Sequence, residues 1–160
     1  MIVCPTSNRE EIDSILKHPE IYETITDDNC IDSKYCDIPI NDEYQYIGGY
    51  VNNKIIAIMV YHKYKDGNKC HVQVLPEYRE QYALQFGEQS LLFRGTQPLY
   101  AEIPLLYTNV LDFAFRFGFK VIETKEQDYC KNGKFYDLKI LRLSDGLCKR
   151  FDRKDSSRCG

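Results

Sequence analysis

The sequence predicts an α/β (α+β) domain in which a mixed central sheet of about seven strands is flanked by helices. Three observations carry this reading. Residues 44–51, 54–64 and 69–75 are rich in β-branched and aromatic side chains. They are separated by Asn52-Asn53 and by Asp66-Gly67-Asn68, turn sequences that make three consecutive antiparallel strands. Pro76 then opens a central helix running through residues 80–93, and residues 99–103 return as a strand. The strands on either side of that helix are therefore free to pair in parallel through a helical crossover. Finally, Asn132-Gly133 marks the turn of a closing hairpin made by residues 119–130 and 134–143.

The remaining elements follow in chain order. Residues 2–4 form a short apolar strand. Thr6 or Ser7 caps a helix that places Glu10 and Glu11 in its first turn, where carboxylates suit the positive dipole end, and Ile12, Ile15 and Leu16 on one face. Pro19 breaks and restarts this helix, Ile21 and Ile25 extend its apolar face, and Asp27-Asp28-Asn29 ends it as a turn. Residues 30–43, with Pro39, read as a loop. In the central helix Ala83, Phe86, Gly87, Ser90 and Leu91 share a packing face. Gly87 costs about 1 kcal/mol against alanine there unless close packing requires it. Pro104 starts the next helix, with Leu106, Val110, Phe113, Ala114 and Phe117 turned inward and Gly118 as its C-cap. The order is β-α-α-β-β-β-α-β-α-β-β, a single domain over residues 1–143. Residues 144–160 form a polar, basic and loose tail.

Bulk properties narrow the function. The 160 residues are 43% hydrophobic and 28% charged with net charge −3, an ordinary soluble composition without the basic footprint of a nucleic-acid binder. No segment reaches the roughly 20 apolar residues of a membrane span, and the first residues lack the pattern of a signal peptide, so a cytoplasmic location is expected. The 7 cysteines are irregularly spaced, with no CxxC pair and no histidine at ligand spacing, so neither a metal site nor a disulfide framework is expected.

Two segments point to a family. Val72-Gln73-Val74-Leu75-Pro76-Glu77-Tyr78-Arg79 reads as a strand entering a helix, and Ala114-Phe115-Arg116-Phe117-Gly118-Phe119-Lys120 as a helix end entering a strand. Together they resemble the two halves of the GNAT (acyl-CoA N-acyltransferase) fold, and the element order agrees over residues 1–143. The resemblance implies that the fourth strand splays from the fifth to admit acetyl-CoA. Backbone around Val72, Val74 and Leu75 would meet the pantetheine. Arg79, Gln81, Tyr82, Ala83 and Leu84 would face the diphosphate at the helix start, where free N–H groups favour an anion. The family turn reads roughly Arg/Gln-x-x-Gly-x-Gly/Ala. Here Arg79 matches, Tyr82 and Leu84 replace the small residues, and Glu80 adds a like charge. The family's tyrosine acid falls at Ala114 and its helix-start asparagine at Tyr107, so Tyr107 is the substitute candidate.

On the implied cleft, His71 and Glu102 are candidate bases and Asp27 and Asp28 candidates for the acceptor side. A narrower string is similar to small GNAT-like proteins of tailed bacteriophages. It comprises His18-Pro19-Glu20-Ile21-Tyr22-Glu23-Thr24-Ile25-Thr26-Asp27-Asp28, then Leu75-Pro76-Glu77-Tyr78-Arg79 with Tyr82-Ala83-Leu84, then residues 114–119. This implies either an acetyl-CoA-dependent N-acetyltransferase with a degenerate cofactor motif or a non-catalytic relative, a pseudoenzyme. The latter would act in virion assembly or bind a host protein, in the host cytoplasm or the virion.

Overall fold

Seven strands and four α-helices follow one another along residues 1–143, the part of the chain that the computed structural model describes. They are β1 (Ile2–Pro5), α1 (Arg9–Leu16), α2 (Pro19–Ile25), β2 (Tyr44–Val51), β3 (Lys54–Tyr64), β4 (Gly67–Val74), α3 (Arg79–Ser90), β5 (Leu99–Pro104), α4 (Thr108–Arg116), β6 (Phe119–Lys131) and β7 (Lys134–Leu143). The expected tail, residues 144–160, lies outside the described residues.

One sheet holds all seven strands in the order β1-β2-β3-β4-β5-β7-β6, and β4–β5 is its one parallel contact. Both faces are covered, giving the expected three layers. On one face Phe86 from α3 and Leu111, Ala114 and Phe117 from and beside α4 pack onto Ile47, Leu99 and Leu141. On the other, Ile12, Ile15 and Ile21 of α1 and α2 pack onto Ile58, Val60 and Leu75. Close approach explains two glycines. A Cβ on Gly49 would sit 2.7 Å from the Phe86 ring, and one on Gly87 2.6 Å from the Phe117 ring. Gly87 is thus the mid-helix glycine that tight packing requires.

Local chemistry sets the boundaries. Asn52 and Asn53 adopt φ of 50° and 62° in the two-residue turn between β2 and β3. Gly118 follows α4 with φ 85°, and its N–H donates to the Phe115 carbonyl over 2.9 Å.

Five expectations are corrected. Asn8 caps α1, accepting from the Glu10 N–H over 3.0 Å, while Thr6 instead bonds the Glu11 carboxylate and the Asn8 N–H. The β3–β4 turn is Lys65-Asp66, with Lys65 supplying the positive φ of 50°, so Gly67 already belongs to β4. Pro76–Tyr78 forms a 3-10 turn and the central α-helix begins at Arg79, because the fixed φ of proline suits the tighter turn. Pro104 ends β5, whose edge can lack one donor, and α4 starts at Thr108. Leu106 and Val110 are each 38% exposed; the inward face of α4 is Leu111 and Ala114.

Candidate active site

β4 and β5 pair only at Asn68↔Leu99 and Lys69↔Tyr100, with the Asn68 N–H donating to the Pro98 carbonyl over 2.9 Å. Beyond that point they diverge. β5 continues against β7 as far as Pro104, and β4 continues against β3 as far as Val74. The Leu75 N–H donates to the Ile56 carbonyl over 2.9 Å. Antiparallel alternation from that pair turns the main-chain groups of His71 and Gln73 towards β3 and those of Val72 and Val74 into the opening. Side chains alternate the other way. Cys70, Val72 and Val74 face the α3–α4 core, while His71, Gln73 and Leu75 face the α1–α2 side.

The opening holds a cavity of about 110 Å³. Met59, Val72, Ala101, Ile103 and Phe117 contribute its apolar wall, and His71, Gln73 and Glu102 border it. Burial drives the thiol of Cys70, which lines the cavity, up to about 12, which disfavours the thiolate. Phe113 and Phe117, with ring centroids 4.9 Å apart, close the helix side.

Glu102 is held in place. Its carboxylate accepts from the Tyr64 hydroxyl at 2.5 Å and from Lys69 Nζ at 2.9 Å, with side-chain exposures of 19% for Glu102 and 16% for Lys69. Burial works to raise its pKa, but the bonds from Tyr64 and Lys69 and the Lys69 charge leave it below the ordinary value. A carboxylate so satisfied is a weak base.

His71 meets His62 of β3, Nε2 to Nε2, at 3.0 Å. His71 is an exposed residue at the rim. The protein packed around it, then Lys69 and His62, disfavour the imidazolium and lower its pKa to about 4, against a weaker pull from Glu102. His62 is shifted the same way, by burial and then by Lys69. Both rings are therefore neutral near pH 7, and the unfolded chain binds more protons at lower pH. Stability contributed by His71 is full above its unfolded pKa of about 6.5 and is lost as pH falls towards the folded value of about 4. Melting temperature should drop across that window more steeply in the wild type than in His71→Gln. Parallel curves would exclude this account.

At the helix start, the Tyr78 N–H donates to the Leu75 carbonyl over 2.9 Å and the Arg79 N–H to that of Pro76, so the 3-10 turn occupies both donors. Arg79 Nε donates to the Val74 carbonyl over 2.9 Å, which ties the guanidinium to the end of β4. Tyr82 and Ala83 pack against the apolar core, with the Tyr82 ring beside Tyr78 at 6.2 Å. Leu84 is 47% exposed and Gln81 is exposed. In the opening, strand main-chain groups face an apolar slot.

Tyr107, Asp27 and Asp28 gather elsewhere, at the tip of the β6–β7 hairpin. Asp28 accepts from the N–H groups of Asn132 and Gly133, each at 2.8 Å, and these bonds lower its pKa. Asp27 Oδ1 accepts from the Asn29 N–H at 2.9 Å. Tyr107 precedes α4 and stands edge-on to Tyr129, 6.4 Å away, and the Tyr129 hydroxyl donates to the Thr26 carbonyl at 2.8 Å. Lys131, 7% exposed, donates from Nζ to the carbonyls of Glu23 at 2.6 Å and Thr26 at 3.0 Å and pairs with the Glu23 carboxylate at 3.1 Å. These contacts clasp the end of α2 to the hairpin across the sheet face that carries His71 and Glu102. Sequence reasoning missed both Lys131 and His62. No local pattern marks a lysine that neutralises remote carbonyls. The signal for His62 was alternation on β3, which puts it on the same face as His71.

No family profile and no curated protein sequence matches this chain. Solved structures do. The crystal structure of smu.2055 from Streptococcus mutans UA159 superposes with a TM-score of 0.73 at 12% identity, over 90% of this chain and 99% of that one. A variant of the spermidine N-acetyltransferase SpeG from Vibrio cholerae gives 0.59 at 12% identity over 64% of this chain, which spans 66% of that protein. A ribosomal-protein-alanine N-acetyltransferase from Brucella melitensis gives 0.52 at 15% identity, over 63% of this chain and 68% of that one. With a seven-stranded mixed sheet split between β4 and β5, this chain has the fold of the GNAT N-acetyltransferases.

Proposed function

We propose that this protein is an N-acetyltransferase that uses acetyl-CoA and has a weakened hold on the diphosphate. The observation that carries the reading is the divergence of β4 from β5 after two residue pairs, over an apolar cavity bordered by His71, Gln73 and Glu102. Acetyl-CoA, when bound, supplies an acyl group activated as a thioester. The chain supplies the rest. Val72 and Val74 would present main-chain groups to the arm, and the Val74 N–H would stabilise developing negative charge on the thioester oxygen. His71 is the neutral proton-accepting candidate at the rim, a base weakened by the surroundings that keep it neutral; Glu102, already engaged by Tyr64 and Lys69, shapes the acceptor face. Tyr107 would donate to the leaving sulfur only after a shift from its place beside Tyr129. Asp27 and Asp28 would bound the amine entrance through the hairpin clasp.

A second reading is favoured by Tyr82 and Leu84: a non-catalytic GNAT-fold protein, of phage type, that works in virion assembly or binds a host protein in the host cytoplasm. Isothermal titration calorimetry with acetyl-CoA, and coenzyme A as comparison, separates the two. Micromolar binding of both is expected from the first reading. No heat at millimolar cofactor overturns it and leaves the second.

A further inference from the structure

The geometry points to His62 as the residue that fixes the tautomer of His71 and leaves His71 Nδ1 as the proton acceptor at the β4–β5 opening. The catalytic part of this assignment rests on the acyl-transfer reading above; the tautomers do not.

The rings of His62 and His71 lie within 8° of parallel with centroids 5.2 Å apart, yet their Nε2 atoms are 3.0 Å apart. Parallel rings whose nitrogens lie so much nearer than their centres meet edge to edge in a common plane, as a linear N–H···N bond requires. One nitrogen must donate and the other accept. His62 Nδ1 lies 3.2 Å from the Lys63 carbonyl oxygen, which can only accept, so the proton of neutral His62 sits on Nδ1. His62 Nε2 is then bare, and His71 must carry its proton on Nε2. His71 Nδ1 is left with a free lone pair.

The surroundings keep the pair in this state. Tyr44 of β2 stacks on the outer side of His62 at 5.3 Å and holds the ring plane. Lys69 on β4 lies near both rings and opposes their protonation, while Glu102 of β5 is drawn to Lys69 and Tyr64. A proton added to His62 Nε2 would set two N–H groups head to head, whereas one added to His71 Nδ1 leaves the bond between the rings intact.

In the reaction, an uncharged amine approaches from the α1–α2 face. His71 Nδ1 takes the proton that the amine nitrogen loses as it bonds the thioester carbonyl carbon. The carbon–sulfur bond then breaks, and His71 returns the proton to the departing sulfur. His62 does not touch the reactants; it is a positioning residue.

The test compares His62→Gln, whose side-chain oxygen still accepts from His71 Nε2–H, with His62→Leu, which cannot. Long-range proton–nitrogen NMR of histidine-labelled protein at about pH 8, well above both ring pKa values, should show His62 protonated on Nδ1 and His71 on Nε2. His62→Gln should keep the His71 pattern. In His62→Leu both His71 tautomers should appear and its titration should move up. Where acetyl transfer is measurable, general-base catalysis worth about 10²–10⁴-fold is at stake. His62→Leu should lower kcat on the order of tenfold and shift the acid limb of the pH profile upward, while His62→Gln stays within about twofold of wild type. A proton on His71 Nδ1, or unmoved His71 signals in His62→Leu, overturns the assignment. Failure to bind acetyl-CoA would remove the acyl-transfer reading while the NMR result still decides the tautomers.

Discussion

Phe86→Ala is expected to destabilise the folded chain by about 3–5 kcal/mol. Phe86 is 0% exposed in α3, and its ring lies against Gly49 of β2, where even a methyl group would sit 2.7 Å away. Gly49 has no side chain that could fill the space the ring leaves, and Ala57 beside it is small. The site collapses poorly, which places the cost at the upper end of the range. Urea denaturation should show the midpoint falling with an unchanged slope, as for a native-state loss without a change in unfolded surface. A loss under about 1.5 kcal/mol would mean that α3 is held to the sheet by other contacts.

Gly67→Ala has the second largest expected effect, and it bears on the split itself. A Cβ at Gly67 would lie 2.1 Å from the Pro98 carbonyl oxygen and 2.8 Å from its carbon. These are backbone atoms, so no rotamer change relieves the clash. The same oxygen accepts from the Asn68 N–H, the first bond of the short parallel contact between β4 and β5. Relief requires moving β5 from β4, at a cost of about 3 kcal/mol, the high end for overpacking. Hydrogen exchange at the Asn68 and Tyr100 amides should accelerate more than at Ile58, inside the β2–β3–β4 meander. Equal acceleration at all three would point to global destabilisation and not to loss of the junction.

Much of the fold was legible because its punctuation is local. Asn52-Asn53, Asn132-Gly133 and Gly118 report backbone conformations that few other residues adopt, and the structure finds each at its turn or cap. The misplaced boundaries lie where two neighbours could serve the same role. Thr6, Ser7 and Asn8 are all capping residues, and tertiary contacts of Thr6 with Glu11 decide among them. Lys65 adopts a positive φ that sequence reasoning assigns to glycine, because Gly67 is needed against Pro98. The inward face of α4 was shifted because its start was set four residues early, at Pro104 and not Thr108.

The site was less legible. Alternation put His71 and Gln73 on one face of β4, as observed, but nothing within β4 announces that His62 waits on β3 nine residues earlier. Glu102 read as a lone carboxylate; its partners Tyr64 and Lys69 lie 38 and 33 residues away. Asp28 read as turn chemistry, and its partner turn is at Gly133.

That last pairing also orders the events of folding. The Asp28 carboxylate and the Gly133 amide it holds are 105 positions apart, so their meeting closes a loop that spans most of the described chain. The entropy of such a closure is recovered only once the intervening strands are aligned, so the clasp between α2 and the hairpin should form after the sheet. The helix this clasp ends, α2, is also anchored by the fully buried Ile21, so the clasp is one of at least two attachments of that segment.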